Sequence, residues 1–142
     1  MNIWKREFTL DDLNQACHDC AVHHLGIEFS AKGDDWLEAT MPINEKTMQP
    51  VGILHGGISA ALAETVGSAA GHCCTEGTQA VVGAEINASH LRPVYKGSVV
   101  TARATAVKIG RTLHIWHIDI RNEENKLCCV SRLTLSVINT NE

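Results

Sequence analysis

The residue best placed to do chemistry in this 142-residue chain is Glu64. Between residues 58 and 70 its neighbours are apolar or small, apart from Thr65 and two serines. An unpaired carboxylate in such surroundings must find a partner, shift its pKa or reach solvent, because burying the bare charge costs several kcal/mol. Carboxylates held in clefts under that tension serve as general bases or nucleophiles. The competing reading is structural: an ion pair with Arg92, Arg103, Arg111 or Arg132, or a groove that lets the group reach water.

Upstream lies His55-Gly56-Gly57. The first N–H groups of a helix lack intrahelical acceptors and sit at the positive end of its dipole, and glycine lets a ligand approach that backbone closely. Such groups stabilise a negative oxygen, as an oxyanion hole does. Glu64 follows Gly56 by eight residues, about 12 Å along a helix at its usual rise. That is long for one chain's carboxylate to serve its own helix start. It is natural if two antiparallel helices meet across a dimer axis. Ser68 falls one turn beyond Glu64 on the same face, where it either orients a water or substrate or bonds back to its own helix. Nucleophilic serine chemistry is disfavoured, since Gly57-Ile58-Ser59 lacks the flanking glycine of a nucleophile elbow. Gly52-Ile53-Leu54-His55-Gly56-Gly57 lacks the lysine and hydroxyl of a phosphate loop. His55 and Glu64 do not have the spacing of a helical zinc site.

These groups need a scaffold to hold them. The stretch that opens at His55-Gly56-Gly57 and runs to about Cys74 is too long for a strand. It reads as one helix, apolar all round and buried against a sheet, closed by Thr75-Glu76-Gly77. The second half alternates with period two. Val82, Ala84, Ile86 and Ala88 share one strand face, and Val100, Ala102, Ala104 and Ala106 a second. Trp116, Ile118 and Ile120 line a third, with Leu127, Cys129, Leu133, Leu135 and Val137 on a fourth. Turns near Lys96-Gly97, Ile109-Gly110 and residues 122–125 make these strands antiparallel. Earlier, Thr9 with Asp11 and Asp12 starts a short helix that ends before His23 or His24. Leu25 to Ser30 and Trp36 to Met41 read as strands around a turn at Lys32-Gly33-Asp34. The expectation is an α+β fold, one domain over residues 1–142, with an antiparallel sheet covering one long helix.

A formal charge of -4 gives no basic footprint for nucleic acid. The first ten residues carry no apolar leader, and the longest apolar stretch is broken by His55, Glu64 and His72. A cytoplasmic protein with no membrane partner is expected. The six cysteines, at 17 and 20, 73 and 74, and 128 and 129, read as reduced thiols. Cys17-His18-Asp19-Cys20, near His23 and His24, lacks the second half of a zinc motif, so no metal is expected. The plainer reading is a short helix that turns Cys17 inward. A chain this short buries no deep pocket alone, which favours a site shared between subunits.

Gln49-Pro50, His55-Gly56-Gly57 and Ala63-Glu64-Thr65 together resemble the 4-hydroxybenzoyl-CoA thioesterase superfamily, in the branch with a catalytic Glu in the middle of the helix. The resemblance runs from Trp4-Lys5 through Gly33-Asp34-Asp35 and residues 37–42 to Leu127-Cys128-Cys129. It implies a hotdog fold, in which the sheet wraps the central helix. It implies Glu64 as general base or nucleophile, the Gly56 N–H polarising the thioester carbonyl, and Gln49 and His55 assisting there, with Ser68 beside the acyl group. It implies dimers paired into tetramers, each site at a subunit interface. CoA, as part of the substrate and with no separate cofactor, would run along Val82-Gly83, His90-Leu91-Arg92-Pro93 and Lys108-Ile109-Gly110-Arg111-Thr112. Arg92, Lys108 and Arg111 suit phosphates by charge and are equally at home as solvated surface charge. His90 reads equally as a hydrogen-bonded interface residue. Two departures stand out: Val51 replaces an aromatic residue common in relatives, and the loop before Gly110 is one residue longer.

The expected reaction is hydrolysis of an acyl-CoA to free acid and CoA. The acyl group is aromatic on the resemblance, 1,4-dihydroxy-2-naphthoyl-CoA being one instance, with a medium-chain acyl group as rival. The alternatives are a hydratase or dehydratase acting on acyl thioesters through His55 and Glu64, and a non-catalytic acyl-CoA-binding module.

Overall fold

The computed structural model describes residues 1–140. Two short helices, α1 (Leu10–Ala16) and α2 (Ala21–His24), precede strands β1 (Glu28–Lys32) and β2 (Trp36–Pro42). The long helix α3 (Gly56–Cys73) follows, then β3 (Gln79–His90), β4 (Val99–Ile109), β5 (Leu113–Arg121) and β6 (Leu127–Asn139). The strands form one antiparallel sheet in the order β1-β2-β4-β5-β6-β3. This is the expected α+β hotdog layout, with α3 lying on one face of the sheet.

Helix α1 starts with a capping box: the Thr9 hydroxyl accepts from Asp12 N, and the Asp12 carboxylate accepts from Thr9 N. It ends sooner than the sequence suggests, at Ala16, and a turn separates it from α2. The pattern also sets the first strand too early, since β1 starts at Glu28.

Helix α3 corrects a larger expectation. It is not buried all round. Ser59, Leu62, Ala63, Val66, Gly67, Ala70 and Gly71 form one buried stripe at spacings of three and four. That stripe packs on Leu37, Ala39, Val100, Ala102, Ile118 and Leu133, all without exposed surface. Each fully buried Leu or Val contributes about 1.5–3 kcal/mol. Gly67 and Gly71 let the helix sit close: a Cβ at either would overlap Leu133 or Leu135. The opposite face, including Ala60, Ala61, Glu64, Thr65 and Ser68, is only half-buried. Small residues there masked the asymmetry, because hydropathy alone does not distinguish a covered alanine from an uncovered one.

The two sheet edges differ. β1 is short, is bulged between Phe29 and Ala31, and is covered by α1. The Asn14 side chain accepts from Phe29 N (2.8 Å) and donates to Phe29 O (3.1 Å), so it satisfies both backbone groups of an edge residue. β3 has twelve residues, pairs only with β6, and carries a bulge between Gly83 and Glu85. That bulge overturns the expected Val82–Ala88 face. Val81, Ile86 and Ala88 pack toward the core, whereas Val82 is 45% exposed. β4 is bulged too, at Val107, between its pairings at Ala106 and Lys108. A bulge absorbs an added residue without turning the rest of a strand over.

At its far end α3 is anchored by Arg6. The guanidinium donates to His72 O, Thr75 Oγ1, Gly77 O and Gln79 O at 2.9–3.4 Å. Lys5 N and Arg6 N both donate to Cys73 O. Carbonyls that a helix C-terminus leaves free are thereby satisfied.

Candidate active site

The start of α3 is fixed by its flanks. Leu54 N donates to Val94 O and His55 N to Thr47 O. His55 is the N-cap, and its Nδ1 accepts from Gly57 N at 2.9 Å. Ile58 N turns back to His55 O. Gly56 N–H is therefore the group in this first turn that has no acceptor among the described residues. With Nδ1 accepting, a neutral His55 carries its proton on Nε2, as a donor on an exposed ring.

A cleft of about 400 Å³ opens beside this helix start, with Gln49, Gly56, Ser59, His90, Pro93 and Cys129 in its walls. Gln49 is held by a tight local bond, its Oε1 accepting from Val51 N at 2.6 Å. That leaves its amide N–H groups for a second partner. The turn runs through Gly52 at φ +86°, a conformation glycine adopts freely, and it turns Val51 outward. A Cβ on Gly56 would lie 2.9 Å from His90 Nε2, so glycine here makes room for the imidazole over the helix start. Leu91 and Arg92 follow His90, tied down by backbone bonds to Cys128 O.

Glu64 is half-buried on the uncovered face of α3, not sealed in the core. Its carboxylate lies against Gly83 of β3, where a side chain would overlap it. It forms no ion pair or hydrogen bond among the described residues. The ion-pair form of the structural alternative is absent among the described residues, Arg103 being engaged elsewhere, whereas a half-buried position on an uncovered face is compatible with its other form, a groove that reaches water. Arg103 bonds Glu38 at 2.7 Å and stacks on Trp36. Thr65, not Ser68, is the residue that bonds back to its helix, donating to Ala61 O at 2.7 Å. Ser68 keeps its hydroxyl on the same half-exposed face as Glu64. His55 and Glu64 are nine residues apart on one helix, about 13 Å, and do not pair.

Leu91, Arg92 and Pro93 also line this cleft, whereas Val82, Gly83 and residues 108–112 do not. Lys108, Ile109, Gly110, Arg111 and Thr112 form the β4–β5 turn, closed by Gly110 N donating to Leu113 O. Ile109, Gly110 and Arg111 line a smaller cleft of about 260 Å³ beside Cys74 and Thr75, at the opposite end of α3 from Gly56. Arg92, Lys108 and Arg111 are exposed and make no ion pair among the described residues. The Val82 side chain is 45% exposed, and it is the next residue, Gly83, that lies against Glu64. One chain thus has a cleft at each end of the helix.

Sequence reasoning missed part of the first cleft. Ser59 is buried at 3%, and Cys128 and Cys129 form wall and floor. The buried-stripe spacing of α3 would have placed Ser59. Nothing local would have placed the two cysteines, which arrive by pairing of β6 with β3.

A sheet wrapped on one helix, an unpartnered carboxylate on that helix and a free N–H at its start define the class of hotdog thioester hydrolases. Residues 51–129 match the Thioesterase superfamily, and the chain belongs to it. A thioesterase of solved structure from Haemophilus influenzae is 64% identical, with a TM-score of 0.96 over 99% of this chain and 97% of that one. The 1,4-dihydroxy-2-naphthoyl-CoA hydrolase of Escherichia coli is 48% identical over 96% of this chain and 99% of its own. The proofreading thioesterase EntH of Cronobacter turicensis is 50% identical over 96% of this chain and 98% of its own.

Proposed function

We propose that this thioesterase hydrolyses an acyl-CoA with an aromatic or medium-chain acyl group, in a site built by two copies of the chain. The observation that carries the reading is the placement of two unsatisfied groups along one open strand. The Glu64 carboxylate lies against Gly83, and Gly56, whose N–H is free, lies against His90. Antiparallel pairing of β3 with a second β3, centred near Asn87, sets Gly83 across from His90 of the partner subunit. Cross-strand neighbours share a sheet face. The bulge at Ala84 is what lets both positions face the helix side. Glu64 of one copy then meets the start of the other copy's α3.

In that arrangement the thioester carbonyl accepts from Gly56 N–H, and developing charge on its oxygen is stabilised by the helix start. The amide of Gln49 and Nε2–H of His55 lie on the same side to assist. Glu64 either takes a proton from the attacking water or attacks the carbonyl carbon to form a mixed anhydride. The thiolate of CoA leaves in both cases. Ser68 lies one turn from Glu64, beside the acyl group. Pairing also brings His90 to Pro93 of one copy toward Val82, Gly83 and the Lys108–Thr112 turn of the other. The unpaired cations Arg92, Lys108 and Arg111 then edge a common path for the CoA phosphates. The cleft of about 400 Å³ falls within the range of small-molecule sites.

A thiol-release panel of aryl- and alkyl-CoA esters tests the substrate class. Activity confined to neither group, with Glu64→Ala as active as wild type, would overturn the reading.

A further inference from the structure

A second cluster of reactive side chains lies outside the proposed catalytic cleft, where α1 hands over to α2. Cys17 is the C-cap of α1 and Cys20 the N-cap of α2, at the two ends of a single turn. The first and fourth residues of such a turn are within about 7 Å at Cα, and disulfides span about 4.4–6.8 Å. Cys20 Sγ donates to Cys17 O at 3.2 Å, which turns it back toward Cys17. Cys20 is exposed and Cys17 half-buried. The remaining cysteines offer no equivalent. Cys73, Cys74, Cys128 and Cys129 are buried. Burial pushes the thiols of Cys73 and Cys74 up to about 11 and about 12. Neighbours 128 and 129 follow each other on a strand, so their side chains diverge.

Beside Cys17 opens a cavity of about 630 Å³ with Asp11, Asp19 and Glu28 in its walls, together with His18 and His23. Three carboxylates around a thiol favour a cationic reagent over an anionic one.

We infer that Cys17 and Cys20 form a reversible dithiol–disulfide site that reacts with small disulfides, cationic ones first. The Cys20 thiolate attacks one sulfur of the small disulfide. A mixed disulfide forms, and one small thiolate leaves. The Cys17 thiolate then attacks the Cys20 sulfur and expels the second half. Overall, two protein thiols are oxidised to one disulfide. The reagent is reduced to two thiols, which take up the two protons.

Cystamine is a suitable reagent for the folded full-length chain, followed by acid quench, alkylation and peptide mass mapping. The expected product is a peptide holding Cys17 and Cys20 that is lighter by two hydrogens and reverts with dithiothreitol. Cys17→Ser should stop at a cysteamine adduct on Cys20. Cys20→Ser should react at least tenfold more slowly. Added salt should slow the wild-type reaction by screening the carboxylates. Thiol release from acyl-CoA checks that each variant is folded. A wild type that keeps cysteamine adducts without closing, that does not react, or that reacts equally fast at Cys73, Cys74, Cys128 or Cys129 would overturn the inference. A rate indifferent to salt would overturn the role given to the carboxylates.

Discussion

The carboxylate of Glu64 occupies the space that a side chain at position 83 would need. Strand β3 therefore carries glycine at the point where it passes over the helix. Gly83 needs no unusual backbone conformation, since it is not among the glycines with positive φ. Its contribution is room. Gly83→Ala should push the Glu64 carboxylate aside and lower kcat about 10- to 100-fold, because small misplacements of a reacting group are that costly. Thermal unfolding should barely change, and steady-state kinetics with matched melting curves would check both.

Glu64→Ala should lower kcat by about 10³-fold, within the usual range for loss of a general base. The carboxylate makes no ion pair among the described residues. Its removal therefore leaves no orphaned partner, and urea unfolding should show wild-type or slightly higher stability. A large loss of stability would mean that Glu64 holds the fold together.

Asn87→Lys should weaken dimerisation and activity together. Pairing centred on this residue sets the two introduced charges against each other. Mixing Asn87→Lys with Asn87→Glu chains should restore both, as read by sedimentation and thiol release. Failure of the mixture to recover would displace the proposed register.

Arg6→Ala should destabilise the fold by about 2 kcal/mol, the scale of losing charge-assisted hydrogen bonds to carbonyls. Its guanidinium bridges the end of α3 and the start of β3. The urea midpoint should fall while kcat of the folded enzyme stays within about twofold, since the anchor touches neither Gly56 nor Glu64.

His114 gives a pH dependence with a definite sign. It is 1% exposed, and burial lowers its pKa from 6.5. Below pH 6.5 the unfolded chain takes up a proton that the folded chain resists. Stability should therefore be full above pH 6.5 and fall as pH drops toward the folded value. The slope approaches about 1.4 kcal/mol per pH unit for one proton. His72 shares the direction, through burial and then the Arg6 charge. In urea titrations His114→Gln should flatten the slope without abolishing it.

The sequence disclosed what is local. Thr9 and Asp12 announce the first cap, turn residues announce the hairpins, and the lone carboxylate on an apolar helix announces Glu64. The spacing from Gly56 to Glu64, about 12 Å along one helix, motivates the proposed two-copy site. Non-local pairing stayed hidden. The bulge beside Gly83 turns Val82 outward, and nothing in the run 82–88 signals it, because small and apolar residues fit either face. The opposite placement of Arg92 and Arg111 relative to α3 follows from strand order. Strand order depends on contacts between distant residues, which period and propensity do not encode.

Asn14 has a consequence at the scale of assemblies. By occupying both backbone groups of Phe29, it blunts one margin of the sheet. Among the described residues only β3 offers a long free row, which gives a valence of one for strand addition. Two such chains joined through β3 exhaust each other, and propagation stops. Without that plug, each copy would present two receptive margins, and pairing at β1 added to the proposed pairing at β3 would elongate into a filament.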